Sequence, residues 1–132
     1  MMGESVLKTL KVLYAEDDDY IRTLVARFLR RRVAKVYEAV NGKEGLDIYI
    51  DNKDEIDIVI TDIQMPVMSG MVMIEEILKI DGKQPIIITT GYNDEHHTSD
   101  KACRNIIKPI DNNKLLEGVL FCMGVKLERV KT

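Results

Sequence analysis

The apolar positions along the chain alternate between two periods. Residues 10–15 (LKVLYA) form a short, mostly apolar run that ends in four acids, Glu16 to Asp19. Ile21, Leu24, Val25, Phe28 and Leu29 then fall at the spacing of one buried helical stripe. Acids open this helix and Arg30, Arg31 and Arg32 close it, matching the helix dipole at both ends. Residues 33–39 read as a second strand, and Asn41-Gly42 opens a helix that carries Leu46, Ile48, Tyr49 and Ile50. A third strand, 56–61 (IDIVIT), runs into Asp62. A loop from Met65-Pro66 to Gly70 precedes a helix over 71–80, with Ile74, Ile77 and Leu78 facing inward and Asp81-Gly82 as its stop.

Residues 85–90 (PIIITT) make the fourth and most apolar strand, as expected of one covered on both faces. A short fifth strand, 105–107, ends at Lys108-Pro109. A last helix starts near Asp111, with Leu115, Leu116, Val119, Leu120 and Met123 as its stripe. Strands alternating with helices imply a parallel α/β sheet with right-handed crossovers. The connection over 91–104 is the exception. A crossover with its helix needs at least about 10–12 residues, and YNDEHHTSDKACR carries no apolar stripe. A short helix from Thr98 or Ser99, or irregular coil, is expected there.

Composition narrows the class. The chain has 132 residues, room for one domain, and 45% of them are hydrophobic. Lys plus Arg number 19 against 22 Asp plus Glu, a net charge of −3, unlike the basic balance of a dedicated nucleic-acid binder. No apolar run approaches the roughly 18 residues of a membrane helix, and residues 1–12 lack signal-peptide features. Cys103 and Cys122 lack metal spacing and are too few for a disulfide framework, so they are expected to act as small hydrophobes in a reducing compartment.

In such a sheet, ligands bind beyond the C-terminal strand ends. Those ends deliver Glu16 and Asp17, Asp62, Thr90 and Lys108. Like charges about 4 Å apart cost about 4 kcal/mol at an effective dielectric near 20. Grouped hard oxygens are what Mg²⁺ binds, and Lys108 offsets part of the remaining charge. A carboxylate beside a metal and an ammonium can attack a phosphoryl group.

Ordinary readings cover most other features. Asp18 and Asp19 are first-turn capping acids, and Arg30-Arg31-Arg32 are solvated dipole partners. His96-His97 have no third ligand at metal spacing, and Met65, Met68, Met71 and Met73 are packing and loop residues.

The motifs AEDDDYIR (15–22), ITDIQMPVMSG (60–70), IIITTG (86–91) and IIKPIDNNKL (106–115), with VNGKE at 40–44, resemble the receiver domain of two-component response regulators. The resemblance spans residues 8–123. It implies a flavodoxin-like doubly wound sheet in the order 2-1-3-4-5, taken from a known member of the family and not from the residues. It implies residues 1–124 as the receiver domain and 125–132 as a tail or helix extension. Asp62 would be the phosphoacceptor, with Thr90 and Lys108 contacting the phosphoryl group. Mg²⁺ would be held by Glu16, Asp17, Asp62 and the backbone carbonyl of Gln64. Gln64 and Tyr92 occupy positions that tune phosphate loss in the family, and Lys108-Pro109 would be cis.

The implied partners are a histidine kinase or phosphotransfer protein and an unidentified downstream protein, with no direct nucleic-acid contact and no membrane insertion. The implied location is the cytoplasm, and the implied role is signalling, with only self-phosphorylation and self-dephosphorylation as chemistry. Two features depart from the pattern: Asn105 stands where the family has Tyr or Phe, and the 91–104 crossover is short. They keep open a phosphate-independent interaction module. A phosphohydrolase of the haloacid dehalogenase type would need an Asp where Gln64 stands.

Overall fold

The computed structural model describes residues 2–91 and 97–124. In chain order the elements are α1 (Met2–Leu7), β1 (Lys11–Ala15), α2 (Asp19–Arg30), β2 (Lys35–Ala39), α3 (Gly42–Asn52), β3 (Ile58–Asp62), α4 (Gly70–Ile80), β4 (Ile86–Thr90), β5 (Arg104–Ile107) and α5 (Asn112–Cys122). The strands form one five-stranded sheet in the order β2-β1-β3-β4-β5, every pairing parallel. The expected doubly wound architecture is thus the observed one.

Period-two alternation divides the core. Val12, Tyr14, Ile58, Ile60, Ile87 and Ile106 face α2 and α5, meeting Val25, Leu29, Leu115 and Val119. Leu13, Val59, Ile86 and Ile88 face the other way, toward Tyr49 of α3 and Met73, Ile74 and Ile77 of α4. Every residue of β3 and β4 is buried, so these strands must be apolar on both sides. In β5, at the sheet edge, only Ile106 is buried.

Helices α2 to α5 are each entered through a short polar side chain. Asp18 accepts from Ile21 N (2.9 Å), Asn41 from Glu44 N (2.8 Å), Ser69 from Val72 N (3.2 Å), and Asp111 from Asn113 N (2.8 Å) and Lys114 N (3.1 Å). Such caps satisfy amides that lack a helical partner. The capping role expected of Asp18 is observed, and Asp19 pairs with Arg22 at 2.6 Å.

Several expectations need correction. Helix α1 lacks the length for a periodic signal, yet Val6 and Leu7 pack into the cluster shared with α5. Strand β2 begins at Lys35 instead of Val33, and β3 runs from Ile58 through Asp62. Leu24 is 44% exposed despite its place in the apolar stripe. The fourth crossover needs no correction: of the short helix or irregular coil expected there, the described residues 97–103 take turn and coil. Tyr92, His96 and the 125–132 tail lie outside the described residues.

Cys103 and Cys122 are not separate hydrophobes; they form a disulfide, with Cα atoms 5.9 Å apart. The cause is topological. Helix α5 runs back along the sheet, returning its last residue to the start of β5. Lys108-Pro109 is cis, as the resemblance implied. Among the described residues, no helix is long and apolar enough to cross a membrane.

Candidate functional site

Parallel register places the C-terminal ends of β1, β3 and β4 side by side, with Ala15 opposite Thr61 and Asp62 opposite Thr89. Glu16 continues β1, its amide donating to Ala39 O at 3.0 Å. One carboxylate oxygen each from Glu16, Asp17 and Asp62 lie within 4.8 Å of one another. Glu16 and Asp62 are buried, whereas Asp17 is exposed. Three carboxylates of this kind are a hard donor set that suits Mg²⁺.

Lys108 closes the group from β5. Its Nζ donates to Glu16 Oε1 at 2.9 Å and to Asp62 Oδ2 at 3.1 Å. Two backbone amides hold the other oxygens: Asp18 N donates to Glu16 Oε2 (3.1 Å) and Ile63 N to Asp62 Oδ1 (2.7 Å). Burial raises the Glu16 pKa above the ordinary carboxylate value, against the pull of Lys108. Burial also acts to lower the Lys108 pKa, but the Glu16 hydrogen bond and the charge of Asp62 outweigh it and hold the ammonium above its usual value. The site is therefore a partly buried ion cluster whose cation is firmly protonated.

Thr90 is buried at the end of β4, and its carbonyl accepts from Lys108 N at 2.7 Å. Gln64 lies on the loop after β3 and lines a cleft of ≈ 550 Å³ together with Asp17, Ser69 and His97. Gly70 closes that loop, its amide donating to Ile63 O at 2.8 Å. Glu16, Asp17, Asp62 and Lys108, all singled out by their strand-end positions, thus converge. Asn105 does not join them: its carboxamide pairs with the Ser99 backbone.

Two residues near the site were not anticipated. Arg22 donates to Glu16 O (2.9 Å) while pairing with Asp19 and with Glu38 (3.4 Å). Its position three residues after Asp19 was the available signal. His97, read as a loop residue, sits with its Nε2 3.2 Å from Gln64 Nε2. That contact joins residues 33 apart in sequence, and no local pattern announces it.

Comparison with known proteins identifies the family and the fold. The family model described as response regulator receiver domain matches residues 12–120. The chemotaxis protein CheY of Treponema pallidum is 28% identical over 114 residues, covering 83% of this chain and 79% of that protein. A two-component response regulator-like protein of Oryza sativa subsp. indica is 34% identical over 116 residues, 83% of this chain. The match spans only 15% of that rice protein. A receiver domain protein from Clostridium thermocellum superposes with a TM-score of 0.81 at 30% identity, covering 87% of this chain and 94% of the other. The receiver domain of the hybrid histidine kinase CckA gives 0.74 at 32% identity, covering 86% and 98%. The chain belongs to the response regulator receiver domain family of two-component signalling proteins.

Proposed function

We propose that Asp62 is the phosphoacceptor, a reading carried by one observation: its carboxylate lies 3.1 Å from Lys108 Nζ within the Glu16–Asp17–Asp62 cluster. An Asp62 oxygen attacks the phosphorus of a phosphohistidine on a kinase or phosphotransfer protein. The new O–P bond forms as the P–N bond breaks, and the imidazole leaves with its electron pair. Lys108 pairs with the transferred charge, and the Thr90 hydroxyl donates to a phosphoryl oxygen. Glu16, Asp17, Asp62 and the Gln64 backbone carbonyl would hold Mg²⁺, which neutralises phosphoryl charge when bound. Residues 1–124 are the receiver unit and 125–132 its tail. The chain acts in the cytoplasm on a downstream protein and not as an enzyme on external substrates.

The test is incubation with acetyl phosphate and Mg²⁺, followed by intact mass measurement. One phosphoryl group adds about 80 Da. The adduct should be absent from Asp62→Asn and after removal of Mg²⁺ with a chelator. No adduct on the wild-type chain would sink the reading and favour the second one, a phosphate-independent interaction module. The Asn105–Ser99 pair favours that second reading, because it occupies the position of the family's aromatic side chain with a fixed contact.

A further inference from the structure

We infer that the Cys103–Cys122 pair is a thiol–disulfide exchange site: a dithiol reduces it in the folded protein, and its redox state decides whether the last turn of α5 is held to β5. Nothing in this depends on the phosphoacceptor reading of Asp62. The bridge joins the residue before β5 to the last residue of α5, with Cα atoms 5.9 Å apart. Both cysteines are only partly buried. Both line a groove of ≈ 430 Å³ between the turn after α4 and the coil before β5.

The charged side chains lining this groove are Lys83, Asp100 and Lys101, a cationic excess. A positive rim draws in an attacking thiolate and stabilises the thiolate that departs. In the cytoplasm proposed above, glutathione and dithiol proteins keep thiols reduced, and bridges found there are usually transient, catalytic or redox-sensing. A sulfur pair sealed in the core would resist exchange in any compartment, whereas this pair lies on a groove wall.

The exchange runs in two steps. A thiolate of the reductant attacks one bridge sulfur and forms a mixed disulfide. The Cys103–Cys122 S–S bond breaks, and its electron pair leaves on the other cysteine as thiolate. The reductant's second thiolate then attacks its own sulfur in the mixed disulfide and releases the remaining cysteine. Two electrons have passed to the cysteines, the two thiol protons of the reductant end on them, and the reductant ends as a disulfide.

The two partners are held unequally once the bridge opens. Cys103 N donates to Ile86 O at 2.7 Å, which ties this residue to β4. Cys122 ends α5, and beside it Arg104 stacks on the Phe121 ring at 3.7 Å, a ring that is itself exposed. Further back along the helix, Leu115 and Val119 are packed in the core. Reduction therefore releases the last turn of α5 and leaves the rest of the helix docked, with Phe121 deprived of its covalent anchor.

The test treats the full chain with dithiothreitol at neutral pH without denaturant, quenches with iodoacetamide and measures intact mass. The bridged protein should take up no alkyl groups and the reduced protein two. Oxidised glutathione should return the reduced protein to none. Hydrogen exchange should quicken over residues 120–124 on reduction while β1 and β3 keep their protection. Cys122→Ser should show the same local quickening with no reductant present. Alkylation that appears only after urea is added would overturn the inference, as would two alkyl groups on protein never exposed to reductant. Exchange that quickens equally in β1 and β3 would also overturn it, because the bridge would then be a staple for the whole fold. A chain that takes no phosphoryl group on Asp62 leaves each of these readouts unchanged, so the two readings fail separately.

Discussion

Asn105 grips Ser99 with both ends of its carboxamide, accepting from the Ser99 amide at 3.1 Å and donating to the Ser99 carbonyl at 2.9 Å. The pair works as one extra rung beside β5, tying coil to the sheet edge where a helix would otherwise cover it. Asn105→Ala removes both bonds and should cost about 1–2 kcal/mol, discounted for exposure. Native-state hydrogen exchange should show residues 99–103 opening more readily while β1 and β3 keep their protection. Unchanged exchange over 99–103 would refute the role.

The Cys103–Cys122 bridge closes a loop with a sequence separation of 19. Reduction, or Cys122→Ser, should lower stability by about 3 kcal/mol in the chain-entropy account, measured as a urea midpoint with and without dithiothreitol. Adduct formation on Asp62 should persist in the reduced protein. The bridge sits before the start of β5, whereas Lys108 follows its end, so the acid site lies at the opposite ends of the strands.

Gly70 is required by close approach: a Cβ there would overlap the carbonyl oxygen of Asp62. Gly70→Ala must displace backbone on which the acid cluster depends. The expected cost is near the upper end of the about 1–3 kcal/mol seen for overpacking. The phosphoryl adduct should fall in parallel, and circular dichroism with intact mass would check both.

The buried Tyr14 hydroxyl has no hydrogen-bond partner among the described residues. Burial, reinforced by the charges of Glu16 and Asp62, raises its pKa above the ordinary 10.0. The folded state therefore keeps a proton that the unfolded chain releases, and stability falls as pH climbs above 10. One such group contributes at most about 1.4 kcal/mol per pH unit. Tyr14→Phe should be neutral or mildly stabilising at pH 8 and should flatten the alkaline fall in urea midpoint. Part of the fall remains, because Tyr49 and Lys108 are also raised. An identical slope in the variant would disprove the assignment.

What could be read from residue order alone was what depends on local periodicity and on topology. Apolar runs of strand length, each followed by a polar cap, announced the five strands, and apolar stripes announced α2, α3, α4 and α5. A parallel sheet gathers strand C-termini at one end, so Glu16, Asp17, Asp62, Thr90 and Lys108 could be grouped before any distance was known. Helix α1 escaped because six residues give too few turns for a stripe, and the exposure of Leu24 because a stripe does not say how far a neighbouring helix reaches.

The amino-acid sequence by itself determined the fold class and the carboxylate–lysine cluster, since strand period and strand-end position are local properties that the parallel topology converts directly into proximity. Only the tertiary structure decided that Cys103 meets Cys122, that Asn105 holds Ser99 and that Gln64 meets His97. Those contacts join loops and helix ends whose approach depends on how α5 and the 97–103 coil pack against the sheet. Packing of that kind is a sum over many distant side chains, and no single stretch of sequence carries it.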